Sequence, residues 1–102
     1  MEKTFEELKE AVVSWASARG IVPGTDPKTQ LLKAVSELGE TCDAEIKGDL
    51  AGVIDGVGDT LVCLINYCSL RSLNIVVCLD MAYNEIKDRK GKTADNGTFI
   101  KD

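Results

Sequence analysis

Four carboxylates carry the chemistry for which this sequence is equipped. Glu37 and Glu40 are three residues apart, and Asp55 and Asp59 are four apart. On a helix, a spacing of three leaves two side chains ~60° apart around the axis, and a spacing of four keeps them on one face. If their two helices pack as an antiparallel hairpin, the pairs converge. Convergent carboxylates repel strongly in a partly buried site, and a divalent cation removes that penalty. The chain has no histidine, and Cys42, Cys63, Cys68 and Cys78 form no Cys-x-x-Cys pair. Zinc binding and histidine-dependent nucleophilic catalysis are therefore not expected. Hard oxygen donors select Mg²⁺, with Mn²⁺ as a substitute, and Mg²⁺ held by a few carboxylates completes its shell with water and phosphate. Acids at helical spacing also form ordinary solvated faces. Asp55 and Asp59, however, fall within the most apolar segment, where acids are rarely buried unless paired or metal-bound.

Four helices have to position these groups, over about residues 5–19, 27–47, 50–70 and 75–90. Thr4 and Glu7 form a capping box for the first, and Phe5, Leu8, Val12, Trp15 and Ala16 repeat at helical spacing to Gly20. The second opens on Asp26-Pro27 and stops at Gly48, with Leu31, Val35, Leu38, Cys42 and Ile46 as its expected core stripe. Gln30, Lys33, Glu37, Glu40 and Ala44 make a second stripe at the same spacing. The third follows Asp49. Its expected core face is Leu50, Val53, Ile54, Val57, Leu61, Leu64, Ile65 and Cys68, and residues 61–65 are apolar all round. Gly52, Gly56 and Gly58 cost about 1 kcal/mol each inside a helix, which close approach of a neighbouring backbone or a ligand explains. The fourth, capped by Asn74 and stopped by Gly91, should face the core through Val76, Leu79, Tyr83 and Ile86 and lie antiparallel to the third. Residues 92–102 read as an extended tail with a turn at Asn96-Gly97.

The segment Gln30-Leu31-Leu32-Lys33-Ala34-Val35-Ser36-Glu37-Leu38-Gly39-Glu40, followed by Asp55-Gly56-Val57-Gly58-Asp59-Thr60-Leu61-Val62, resembles the MazG-like branch of the all-α NTP pyrophosphohydrolases. Residues 82–92 and 96–101 look like the small members found in phages and prophages. The resemblance implies an all-α fold with a four-helix bundle core, Mg²⁺ dependence, and cleavage of a nucleoside triphosphate between its α- and β-phosphates. It also implies a homodimer or a dimer of dimers. Glu37 and Glu40 match the family's ExxE metal pair, and Asp59 matches the last acid of ExxD. The sequence departs from the pattern at Ser36, where the family often has an acid, and at Gly56, where the first acid of ExxD would fall. Asp55 looks like the substitute acid. Under this reading Glu37, Glu40, Asp55 and Asp59 hold the metal, and Glu37, Glu40 and Asp59 are catalytic, with Glu37 or Glu40 orienting or deprotonating the attacking water. Lys33, Asn84, Lys87, Arg89, Lys90 and Trp15 are candidates for substrate contact, with Lys87 and Arg89 neutralising the departing pyrophosphate. The alternative is a non-catalytic nucleotide- or metal-binding helical module, which Gly56 favours.

The whole-chain properties agree with such a reading. A chain of 102 residues fits one domain, spanning 1–102, and can bury a modest core. A net charge of −5 argues against duplex nucleic acid as a partner. Acids concentrate between Glu37 and Asp59, whereas Lys87–Lys92 is basic. That asymmetry suits a small anion met partly by a metal and partly by Lys and Arg. The apolar runs at 61–65 and 75–79 are too short to span a bilayer, and the first residues lack the basic and apolar regions of a signal peptide. A cytoplasmic protein with reduced core cysteines, and no membrane partner, is the expectation.

Overall fold

The computed structural model describes residues 2–102; Met1, part of the stretch read for a leader, lies outside them. The chain is all-α with a small terminal hairpin: α1 Phe5–Ala18, α2 Pro27–Lys47, α3 Leu50–Leu70, α4 Ile75–Ile86, then β1 Gly91–Thr93 and β2 Phe99–Lys101. The caps form as their residue types dictate. The Thr4 hydroxyl accepts from the Glu7 amide at 3.1 Å, and the Glu7 carboxylate accepts from the Thr4 amide at 2.9 Å. Asp26, Asp49 and Asn74 cap α2, α3 and α4. Gly48 ends α2 at φ +74, the left-handed conformation that glycine adopts without strain.

The centre of the fold is the α2–α3 hairpin, with α1 laid against α3. Its seam is built from small residues. Ala34 and Ala44 are buried on α2, and Gly56 and Cys63 on α3. A Cβ placed on Gly56 would run into the Thr41 hydroxyl and come within 3.0 Å of the Thr41 Cβ. One placed on Gly52 would lie 3.0 Å from the Ala44 Cβ. Close approach of α2 thus accounts for Gly56; at Gly52 the Asp49 cap carboxylate, 2.6 Å from such a Cβ, and Ala44 of α2 together take the space, while Gly58 faces open space. Lys9, 8% exposed on α1, is neutralised by Glu6 at 2.6 Å and Glu10 at 2.8 Å. These two partners hold its ammonium above the ordinary lysine range.

Several expectations are corrected. On α2 the buried stripe is Gln30, Ala34 and Ala44, whereas Leu31, Val35, Leu38, Cys42 and Ile46 are exposed. Small side chains win the seam because they let two backbones approach. On α3, Ile65 and Cys68 are buried as expected, but Leu50, Ile54, Val57 and Leu61 are exposed. On α1 only Ala16 and Lys9 are buried; Phe5, Leu8 and Trp15 stay partly exposed. Cys63 and Cys68 lie in the core, where burial raises both thiols, but Cys42 and Cys78 are exposed. Helix α1 ends at Ala18, with Arg19 as its cap.

Helix α4 ends at Ile86, not near residue 90, and buries no residue. Past Ile86 the run Lys87-Asp88-Arg89-Lys90 has no apolar side chain to sustain a packed turn. The expected tail is a hairpin instead, with Gly91 opposite Lys101 and Thr93 opposite Phe99. Asn96 and Gly97, at φ +88, make its turn. One chain therefore does not close four helices around one core. Its radius of gyration is 16.1 Å, against about 13 Å for a compact chain of this length.

Candidate acidic cleft

The antiparallel hairpin brings both acid pairs to one cleft of about 330 Å³, lined by Glu37, Glu40, Asp55 and Asp59. Thr41 faces Gly56 and Ala44 faces Gly52, so each acid pair stands beside the seam on the same side of the hairpin. The cleft is an open groove along two helices. Partial burial, then Glu40, then Asp59 push the Glu37 carboxyl above the ordinary glutamate range, and Lys33 one turn away opposes the shift. Cys63 sits beneath, close enough for Lys33, Glu37 and Asp59 to influence its thiol. Lys33 thus belongs to the same electrostatic environment as the acids.

The cleft also contains Asp43, Lys47 and Asp49, which are not among the expected site residues. Asp43 and Lys47 continue the row Glu40, Asp43, Lys47 at helical spacing, a signal that was present. Asp49 caps α3, accepting from the Gly52 amide at 3.0 Å. Its position at the hairpin bend places it on the rim as well.

Trp15 lies next to this region. With Leu8, Ala11, Val12 and Val62 it lines an apolar slot between α1 and α3 that shares Asp59 with the acidic cleft. The Arg19 guanidinium stacks over the Trp15 ring at 4.7 Å, a cation–π contact that holds the indole at the surface. Asp59 therefore stands where a polar groove meets an apolar one.

The basic candidates lie elsewhere. Asn84 donates to Asp80 at 3.2 Å on exposed α4, and Arg89 is 4.0 Å from Glu85. Arg89 and Lys90 line a separate mixed-charge surface with Asp88, Lys101 and Asp102. Lys87 caps α4. None of Asn84, Lys87, Arg89 and Lys90 lines the acidic cleft. The cations beside the acids are Lys33 and Lys47.

The donor set is all hard oxygen, which suits Mg²⁺ or Mn²⁺. Among the described residues, no three acidic or cysteine side chains gather around one point tightly enough to enclose an ion. The arrangement fits an ion held by one or two carboxylates that finishes its shell with water or a ligand's phosphates, the usual habit of Mg²⁺. The Gly56 contact also explains why no side chain stands at the position next to Asp55: the seam leaves it no room.

No family profile matches this chain, and no solved structure matches it. A curated protein of Haemophilus phage HP1, described as an uncharacterized 18.2 kDa protein in the rep-hol intergenic region, is 28% identical over 61 residues. The match covers 60% of this chain and 37% of that protein.

Proposed function

We propose that the acidic cleft binds a divalent cation together with a nucleoside triphosphate, and that the chain is a Mg²⁺-dependent pyrophosphohydrolase releasing nucleoside monophosphate and pyrophosphate. The observation that carries this reading is the convergence of Glu37, Glu40, Asp55 and Asp59 from two helices on one groove. The resemblance of residues 30–40 and 55–62 to the MazG-like enzymes supplies the reaction class. One or two of Glu40, Asp55 and Asp59 would hold the cation, which when bound would neutralise phosphate charge and activate water. Glu37, whose carboxyl is raised first by partial burial and then by Glu40 and Asp59, takes the proton from the attacking water. Lys33 and Lys47 supply the positive charge beside the acids, where neither Lys87 nor Arg89 lines the cleft. The Trp15 slot, joined to the cleft at Asp59, takes the base.

The test is pyrophosphate release from a panel of NTPs and dNTPs with Mg²⁺, with chelator as control. Diphosphate and orthophosphate as the main products would refute the cleavage site. Full turnover in excess chelator would refute the role of the cation. The second reading is a helical module that binds a nucleotide or metal without turnover, favoured by the absence of a side chain at Gly56. That module would show a Mg²⁺-dependent rise in melting temperature with nucleotide and no product.

A further inference from the structure

Helix α4 is the helix that packing holds least. It buries no residue, and it meets the rest of the chain chiefly through α3. Its direction is set at the link after Leu70. There the Cys68 carbonyl accepts from the Leu73 amide at 2.7 Å, and the Asn74 carbonyl accepts from the Cys78 amide at 3.0 Å. The first bond folds the link back onto the last turn of α3, and the second closes the first turn of α4. Cys68 and Cys78, ten residues apart, therefore stand on the two sides of one tight bend. Their environments differ. Cys68 is 8% exposed in the core, whereas Cys78 is open to solvent. The two sulfurs are neighbours: burial pushes the Cys68 thiol up, and the Cys78 thiol beside it pushes it up further. The other core cysteine has no such neighbour. Among the described residues, burial, Lys33, Glu37 and Asp59 act on the Cys63 thiol, and no second thiol does.

We propose that Cys68 and Cys78 are a redox-active pair, which a small-molecule disulfide of the glutathione type converts to a reversible disulfide that fastens α4 to α3. The order of events follows from exposure. The Cys78 thiolate attacks one sulfur of the oxidised reagent. The reagent's S–S bond breaks, one reagent thiol leaves, and a mixed disulfide remains on Cys78. Cys68 then loses its proton to water and attacks the Cys78 sulfur, and the second reagent thiol leaves. The two cysteines together give up two electrons, and one reagent disulfide becomes two thiols, so no other reactant is needed. Burial favours the neutral thiol at Cys68 and shields it from the reagent. Adjacency makes its attack on Cys78 intramolecular, which offsets its low thiolate fraction. The product is a covalent bond one turn into a helix that no buried side chain holds. It fixes the direction of α4 and, with it, the terminal hairpin that α4 carries. This inference does not depend on the chemistry of the acidic cleft.

Peptide mapping tests it. The full chain, with the exposed Cys42 replaced by Cys42→Ser, is equilibrated in glutathione buffers of rising oxidised fraction, quenched in acid and alkylated. One intramolecular disulfide joins the Cys68 and Cys78 peptides, and reduced glutathione reverses it. Adding Cys68→Ala stops the reaction at the mixed disulfide on Cys78, and adding Cys78→Ser leaves Cys68 a free thiol in the same buffers. Amide hydrogen exchange through Ile75–Ile86 slows by at least about tenfold in the oxidised chain. A glutathione adduct that persists on Cys78 while Cys68 is present overturns the proposal. So does a disulfide that joins two chains, and so do thiols at 68 and 78 that stay free in oxidised glutathione alone. An oxidised chain whose α4 amides exchange as fast as those of the reduced chain overturns the fastening of α4.

Discussion

Gly56→Ala is the substitution that most directly probes how the acidic cleft is assembled. On an open helix the change is stabilising by up to about 1 kcal/mol, because alanine is the better helix former. At Gly56 the new methyl would strike the Thr41 hydroxyl and lie 3.0 Å from the Thr41 Cβ and 3.3 Å from its Cα. The Cα belongs to backbone, so the clash is not relieved by turning a side chain. The Thr41 hydroxyl also donates to the Glu37 carbonyl at 2.7 Å, a bond worth about 0.5–1.5 kcal/mol if broken. Overpacking a tight contact costs about 1–3 kcal/mol. Set against the propensity gain, the net is a loss of about 1–3 kcal/mol. For a domain of this size each kcal/mol moves Tm by about 4–8 °C. Gly58→Ala is the internal control, since its Cβ meets nothing within 4 Å; it should gain up to about 1 kcal/mol. Chemical denaturation of both variants measures the pair. A Gly56→Ala protein as stable as Gly58→Ala would refute the close seam and the explanation of the cleft built on it.

Three further outcomes follow from particular contacts. Thr4→Ala removes the side-chain half of a complete capping box and should cost about 1 kcal/mol in urea melts. The raised pKa of Glu37 means the folded chain binds more protons than the unfolded one between the ordinary glutamate range and the folded value. Metal-free stability should therefore fall as pH rises through that window, and Glu37→Gln should flatten the decline; parallel pH profiles for the two proteins would refute the raising of the Glu37 carboxyl by partial burial, Glu40 and Asp59. Asp59→Asn should abolish pyrophosphate release while leaving the circular dichroism spectrum intact, and an active Asp59→Asn enzyme would remove Asp59 from the catalytic set.

The helices were legible because their ends are written in local chemistry. Thr4, Asp26, Asp49 and Asn74 cap as their types require, and Gly48 terminates α2 as expected. The pairing of Glu37 and Glu40 with Asp55 and Asp59 was legible for the same reason, since two spacings and one short bend fix it. The seam was not. Apolarity alone assigns Leu31, Val35 and Leu38 to the core, yet the side chains that let α2 and α3 meet are alanine, threonine and glycine, which hydrophobic patterning passes over. Helix α4 ends before the expected stop at Gly91, because no apolar side chain follows Ile86 to sustain it. The separation of Lys87, Arg89 and Lys90 from the cleft was invisible in sequence, because it depends on α4 not folding back along the hairpin.

The two unlike faces of the hairpin follow from one constraint. If leucine-sized residues formed the seam, α2 and α3 would stand farther apart, and Asp59 on α3 would be too far from Glu37 on α2 to act on it. Small seam residues bring the acid rows within electrostatic reach. The same choice leaves the leucines, isoleucines and valines without a place in the chain's own core, so they gather on the far side, where Leu38 is 55% and Ile54 66% exposed. The acidic cleft and the uncovered apolar strip are thus two consequences of the same packing. It follows that substitutions should separate by face. Changes on the strip, such as Leu38→Glu, should leave the Glu37 titration in place. A change in the seam, such as Gly56→Ala, should disturb it.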